Sequence, residues 1–172
     1  NQVYRAGYIT KIVPESVELS HLGHGTMNGT DGKPFKTRDG GVLRLEDLIQ
    51  MGREKALQRL EEAHVGDNFS SEEREDIAMK VAIAAIKFAD LQNNRIADYV
   101  FDLDRMTSFE GKTGPYLLYQ AVRIKSLLDK AGYKAGGDII ISDIDRPLYL
   151  MLTELSEIIE NAARNYTAHV IC

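Results

Sequence analysis

The sequence predicts a short α/β portion followed by a mostly α-helical portion. Two stretches rich in β-branched and aromatic residues favour strands, at residues 3–13 and 17–22. Glycine and proline then punctuate a loop over residues 23–41, and from residue 45 onward apolar residues recur at helical spacing. Because two or three strands bury themselves poorly, we expect them to complete a sheet whose other strands lie outside this chain.

The composition indicates a folded protein. The chain has 172 residues, of which 44% are hydrophobic and 27% are charged, and this balance excludes a disordered or collagen-like chain. With a net charge of −5, any contact with RNA or phosphate must come from a local basic patch. The single cysteine, Cys172, allows no disulfide within the chain, so we expect a reducing compartment and a cytoplasmic protein. No apolar stretch reaches the ~18 residues that predict a membrane span.

Four helices are predicted from apolar periodicity and from end signals. The second has the clearest start, because Ser70 and Glu73 have the spacing of a capping box. The third begins at Thr113–Gly114–Pro115, with a proline in its first turn. The predicted helices span Leu45–His64, Ser70 to about Gln92, Thr113–Gly132 and a final segment that begins at Arg146–Pro147.

Two nearby histidines form the first candidate site. His21–Leu22–Gly23–His24 resembles the nucleotide-binding motif of class I aminoacyl-tRNA synthetases and nucleotidyltransferases, in which histidines hold ATP phosphates at a helix N-terminus. The residues that follow, 25–29, are poor helix formers. A zinc site needs four ligands, and the remaining candidates are His64, His169 and Cys172. In a third interpretation, the end of a strand presents these imidazoles to a cleft or to solvent.

The second candidate site is the loop from Asp31 to Gly41. Lys33, Lys36 and Arg38 place three cations within six residues of a glycine-rich backbone. Mobile Lys and Arg side chains can close over a triphosphate and stabilise the charge that develops on leaving pyrophosphate. The alternative interpretation is a solvated basic turn.

The third candidate region combines acidic, aromatic and basic residues. Asp98, Asp102 and Asp104 lack the ordered pattern of an EF-hand, so we expect them to cap helices and to pair with Arg95 and Arg105. On the third helix, aromatic and basic side chains at helical spacing either face RNA or cover the core, namely Tyr116, Tyr119, Arg123 and Lys125.

Three blocks of this sequence, in this order, resemble the arginyl-tRNA synthetase family of class I aminoacyl-tRNA synthetases. The first block, residues 21–41, resembles the strand and loop that occupy the place of the KMSKS loop, with Pro34–Phe35–Lys36–Thr37–Arg38 in place of those letters. The second and third blocks cover residues 98–106 and 109–123, and the tail from about Leu148 is similar to the start of the anticodon-binding domain.

The resemblance implies the C-terminal part of a Rossmann-type catalytic domain followed by a helical bundle. Residues 1–66 would hold this part with its KMSKS-like loop, and residues 67–145 a connecting helical region along the inner side of the tRNA. Residues 146–172 would begin a truncated helical anticodon-binding domain. The family's HIGH motif lies upstream, so we expect a fragment that lacks this motif and the arginine pocket. Such a fragment would be inactive by itself, because transition-state stabilisation needs both halves of the site.

The resemblance further implies an arginine–tRNA ligase, which activates L-arginine with ATP and Mg²⁺ and transfers the arginyl group to its tRNA. Its partners would be ATP, L-arginine and tRNA, with neither DNA nor a membrane. Lys36 and Arg38 would act as catalytic residues at the ATP phosphates, with Lys33 as a further nucleotide contact. The strand that meets the adenosine, largely through backbone groups, would contain His21, Gly23, Gly25 and Met27. The alternative is a noncatalytic RNA-binding or interaction module built from the helices.

Overall fold

The computed structural model describes residues 2–34, 44–62, 64, 67–134, 136 and 142–172, and over these ranges the chain is mostly helical. Two short strands, β1 (Met27–Asn28) and β2 (Tyr99–Val100), form a small parallel sheet within the described residues. The helices are α1 (Gln2–Ile9), α2 (Leu45–Glu62), α3 (Ser71–Leu91), α4 (Leu103–Met106), α5 (Gly114–Lys130) and α6 (Arg146–Asn165), and a 3₁₀ turn follows at Ala168–Val170. None of the helices described is both long and apolar enough to cross a membrane.

Helices α2 and α3 form the centre of the fold. Small residues lie where the two helices meet, and a Cβ added at Gly52 would come within 3.2 Å of the Cβ of Ala82. This close approach buries one apolar cluster along the pair and leaves a second one where the pair meets the sheet. The first cluster consists of Ala56, Leu60, Ala78 and Val81, and the second of Leu48, Ala89, Phe101 and Met106.

The helix α3 begins with the predicted capping box. Ser70 Oγ accepts a hydrogen bond from the Glu73 backbone N–H at 3.2 Å, and Glu73 Oε2 accepts one from the Ser70 N–H at 2.8 Å. These bonds favour the carboxylate form and lower the pKa of Glu73 from its usual 4.5. The sequence therefore located this helix start to the residue.

We expect Ser70→Ala to lower the free energy of unfolding by about 1 kcal/mol, because an N–H of the first turn loses its acceptor. Since the folded pKa of Glu73 is lowered, its contribution is fully present above pH 4.5 and is lost as the pH falls through the folded pKa. Equilibrium urea unfolding followed by circular dichroism measures the change, and Ser71→Ala is the matched control. Equal effects of the two substitutions would contradict the capping role.

The predicted strand over residues 3–13 is wrong. The structure has α1 and a following turn here, although Val3 and Ile9 favour strands. In the helix, Tyr4 and Tyr8 lie one turn apart on the same face. Both hydroxyls donate to backbone carbonyls of the next segment, so tertiary contacts override the local β preference.

The second predicted strand, over residues 17–22, is also wrong for the residues described. The segment carries no strand, because its polar backbone groups bond to tyrosine side chains instead of to a neighbouring strand. Tyr8 Oη donates to the Val17 carbonyl at 2.6 Å and accepts from the Leu19 N–H at 3.2 Å. The β portion of the described chain is thus the β1–β2 pair, which joins segments far apart in sequence.

The helices α5 and α6 leave much of their apolar surface exposed. On α5, Val122 is 67% exposed and Leu127 60%, and on α6 Met151 is 69% exposed. Of the residues predicted either to face RNA or to cover the core, Tyr116 is partly buried, whereas Tyr119, Arg123 and Lys125 are exposed. Only the tyrosine nearest the start of α5 therefore takes part in covering the core.

Candidate functional site

The candidate site is built on residues 23–28, the segment that ends in β1. Residues 95–101, which follow α3, hold this segment through backbone hydrogen bonds that extend beyond the parallel strand pair. The bonds run from Gly25 N to Arg95 O (2.8 Å), from Tyr99 N to Thr26 O (3.0 Å) and from Phe101 N to Asn28 O (2.8 Å). Residues 95–101 therefore set the position of the segment.

The side chain of Asp98 adds to this backbone pairing. Asp98 Oδ1 accepts hydrogen bonds from the Thr26 backbone N–H at 2.7 Å and from the Thr26 hydroxyl at 2.9 Å. Both bonds favour the carboxylate, so the pKa of Asp98 lies below its usual value, the backbone bond having the larger effect. Asp98 thus remains charged at neutral pH while it holds Thr26.

Gly25 allows the two segments to approach closely. A Cβ at this position would lie 2.1 Å from the carbonyl oxygen of Ala97 and 2.8 Å from the backbone N of Asp98. No side chain fits there without moving one of the two backbones. Gly23, by contrast, has open space at the position of a Cβ.

The segment lines an open cleft of about 830 Å³, within the range of small-molecule sites. Residues 24–27 form one wall, and the start of α2 and the end of α3 form the others, with Tyr166 and Ala168 at one side. The Tyr99 hydroxyl donates to Asp90 Oδ1 at 3.0 Å, and burial, with help from Asp90, raises the Tyr99 pKa. The cleft thus combines an apolar wall, which includes Leu48 and Ile86, with polar groups, as a ligand site requires.

The two histidines of the tetrad face outward. Both His21 and His24 are exposed, and His24 Nδ1 lies 2.8 Å from the carbonyl oxygen of Gly25. The part of the chain that the structure describes has no cluster of three His, Cys, Asp or Glu side chains that could hold a metal ion, so the zinc interpretation gains no support there. The exposure of the imidazoles agrees with one part of the third interpretation, and His24 also lines the cleft, but no strand of the described chain ends at these residues.

The other predicted nucleotide contacts of the segment lie close to the cleft. Met27 is partly buried against the cluster that contains Leu48, and it lines the cleft. The carbonyl oxygen of Gly23 accepts a hydrogen bond from the guanidinium of Arg95. Gly23 and Met27 are therefore held from the same side, by α3 and the residues that follow it.

The cationic loop begins at the edge of this cleft. Lys33 is exposed, and its backbone N–H donates to Asp31 Oδ1 at 3.1 Å in a tight turn. Pro34 pairs with Asn28 in an isolated antiparallel bridge and lines the cleft. Lys36 and Arg38, the two predicted catalytic residues, lie outside the described residues.

For the acidic residues between positions 98 and 104, the capping role of Asp102 was predicted correctly and the ion pairs were not. Asp102 Oδ1 accepts from the Arg105 backbone N–H at 3.1 Å and caps α4, which confirms the capping prediction. The predicted ion pairs are wrong: among the described residues, Asp104 pairs with Lys55 at 2.6 Å. Arg95 instead reaches backbone carbonyls, so its charge supports the site segment.

Comparison with known proteins shows which family this chain resembles. The family model described as "tRNA synthetases class I (R), catalytic domain" matches residues 1–103. The arginine–tRNA ligase of Hyphomonas neptunium is 48% identical over 99% of this chain, and that of Maricaulis maris is 49% identical over 99%. The chain spans 29% of the length of these two relatives.

Solved structures show the same similarity. The arginyl-tRNA synthetase of Thermus thermophilus superposes with a TM-score of 0.73 at 28% identity, covering 87% of this chain and 24% of that one. A Plasmodium falciparum arginyl-tRNA synthetase shares the fold, with a TM-score of 0.69 at 23% identity over 98% of this chain and 29% of its own. The fold and the family match define a class I tRNA synthetase chain. Within that class, the chain belongs to the (R), or arginine, catalytic-domain family.

Proposed function

We propose that this chain is part of an arginine–tRNA ligase, which activates L-arginine with ATP and transfers the arginyl group to its tRNA. The observation that carries the proposal is the 48% identity, over 99% of the chain, to a protein that bears this name. The cleft beside residues 23–28 supports it. Its apolar residues, such as Leu48 and Ile86, lie beside the segment 24–27, and this combination suits a purine nucleoside.

We propose further that residues 1–66 form the C-terminal part of a Rossmann-type catalytic domain. The parallel β1–β2 pair, which is joined by a long helical crossover, supports a Rossmann-type arrangement around β1, since parallel strands require such connections, and β2 lies past residue 66. Residues 67–145 would then be the connecting region and residues 146–172 the start of the anticodon-binding domain. The α2–α3 cluster spans the first of these boundaries, so the two regions would share a core.

In the proposed reaction, the segment 23–28 meets the adenosine and the cationic loop meets the phosphates. Lys36 and Arg38 would stabilise the negative charge that develops on pyrophosphate as it leaves, with Lys33 beside them. Mg²⁺ commonly binds ATP phosphates with only one or two protein carboxylates. Within the described residues no cluster of three His, Cys, Asp or Glu side chains fits a protein-held ion.

Arginine-dependent ATP–pyrophosphate exchange by the full-length protein that contains this chain, with and without tRNA, tests the proposal. We expect exchange in the wild type and a fall of about 10²-fold in Lys36→Ala, the size typical of removing one preorganised charge-stabilising group. Lys80→Ala on α3, an exposed lysine paired with Asp76, is the matched control.

The outcomes separate two parts of the proposal. Exchange that does not depend on arginine would reject the function. An active wild type whose rate is unchanged by Lys36→Ala would reject the role of the loop but keep the function.

The alternative function is a noncatalytic RNA-binding module. Tyr119 and Arg123, which are exposed and lie one turn apart on α5, favour an RNA contact in either case. The exchange assay discriminates between the two functions, because an RNA-binding module would bind tRNA but would show no arginine-dependent ATP–pyrophosphate exchange.

A further inference from the structure

The segment 23–28 has few packing contacts to hold it. His24 and Thr26 are exposed, and the apolar anchor of the segment is the partly buried Met27. Apolar burial is the main source of stability elsewhere in a fold. Here the position of the chain must depend instead on hydrogen bonds from residues 95–101.

Thr26 is held at both ends of its backbone. Its N–H donates to Asp98 Oδ1 at 2.7 Å, and its carbonyl accepts from the Tyr99 N–H at 3.0 Å. The single hydroxyl proton of Thr26 has two acceptors within reach, Asp98 Oδ1 and Asn28 Oδ1, each at 2.9 Å. A charged acceptor makes such bonds about twice as strong as neutral ones, so Asp98 is the strongest single support of this residue.

The backbone N–H and carbonyl of the next residue, Met27, face the side opposite to those of Thr26. In a parallel pair, alternate residues of a strand bond to the same neighbour, and here Thr26 and Asn28 bond to the β2 segment. The N–H and carbonyl of Met27 therefore point away from β2. Fixing Thr26 fixes the direction of the Met27 peptide groups beside the cleft.

We propose that Asp98 is a positioning residue, which aligns the backbone of Met27 for the adenosine of ATP by holding Thr26. The proposal rests on the proposed function, because it assigns ATP to this cleft. Asp98 acts without touching the nucleotide. Its removal should weaken ATP binding and leave the recognition of arginine unchanged.

Steady-state exchange kinetics of the full-length protein with Asp98→Ala test this proposal. We expect the KM for ATP to rise at least about tenfold, because Asp98→Ala removes both bonds that the carboxylate accepts and the loss of one bond to a charged group alone corresponds to this ratio. The KM for arginine and kcat should stay close to the wild-type values. Asp98→Asn should restore most of the ATP affinity, because its side-chain oxygen still accepts both bonds, and Asp129→Ala on the exposed surface of α5 is the matched control.

Calorimetric titration with ATP gives a second measurement that needs no turnover. Thr26→Val removes the hydroxyl, which Asp98 Oδ1 and Asn28 Oδ1 share, and keeps the backbone bond to Asp98, so we expect a rise in Kd of about threefold, smaller than for Asp98→Ala. This milder variant keeps the proposal testable if Asp98→Ala fails to fold.

Two results would overturn the proposal. One is an unchanged affinity for ATP in both Asp98→Ala and Thr26→Val. The other is an equal loss of affinity for ATP and arginine with a lower Tm, which would give Asp98 a structural role only. A wild type that binds ATP without arginine-dependent exchange would instead reject the proposed function, and the titrations would still decide the role of Asp98.

Discussion

Gly25→Ala is expected to lower the free energy of unfolding by about 3 kcal/mol, at the upper end of the range for overpacked positions. The new Cβ would lie 2.1 Å from the Ala97 carbonyl oxygen and 2.3 Å from its carbonyl carbon. Both atoms belong to the main chain, so no change of rotamer relieves the clash. The segment must move, and the hydrogen bonds that it donates to the Arg95 carbonyl and the Asp98 carboxylate lengthen or break.

The same displacement should reduce kcat/KM for ATP in the full-length protein by on the order of 10²-fold, since a shift of about 1 Å in a positioned group has this effect. Gly23→Ala is the matched control for the stability measurement, because it lies two residues away in the same segment and its Cβ would meet open space. Urea unfolding and exchange kinetics measure the two effects. If the two alanines behaved alike, the close approach of this segment to Ala97 would be wrong.

The helices α2, α3, α5 and α6 could be predicted because their signals are local. Ser70 and Glu73 form their capping box within four residues, and Thr113 caps α5 by accepting from the Tyr116 N–H at 3.2 Å. Apolar periodicity predicted the helix α2 in the same way, and three of its apolar residues, Leu48, Ala56 and Leu60, are buried, whereas Leu45 at its start is exposed. Such patterns need no knowledge of the partner surface.

The N-terminal portion could not be predicted from local signals. The strand preference of residues 3–13 is real, but the two tyrosine hydroxyls find partners only when α1 lies beside residues 17–20. The β1–β2 pair has the same difficulty, because Thr26 and Asp98 are 72 residues apart. Contacts at such a separation leave no periodic trace in one sequence.

The resemblance to a known family predicted residues that line the cleft. The hydrogen bonds that hold this segment in place were not predicted. Gly25 and Met27 lie on the segment that lines the cleft, as expected. Asp98 stood out in an acidic segment, but composition suggested capping or a cation, and its partner Thr26 could not be guessed. The density of glycines over residues 23–41 was the available signal, since a close backbone approach is one reason for a glycine.

Gly114→Ala is expected to destabilise the chain by about 3 kcal/mol for a related reason. Its Cβ would lie 2.2 Å from the carbonyl oxygen of Ala84 and 3.1 Å from the N of Ala85, both in the backbone of α3. The start of α5 cannot retreat easily, because Thr113 and Pro115 are buried on either side of Gly114. Thr113 Oγ1 also donates to the Ser108 carbonyl at 2.6 Å.

The sign of this effect is diagnostic. In an exposed helix, replacing glycine by alanine stabilises by up to about 1 kcal/mol, so a loss of stability requires contact between α5 and α3. Urea unfolding followed by circular dichroism measures it, with Lys112→Ala, at an exposed neighbour, as the control. Adding Ala84→Gly should not rescue the variant, because the clash is with a main-chain oxygen that glycine keeps. A stabilised Gly114→Ala chain would mean that α5 does not begin against α3.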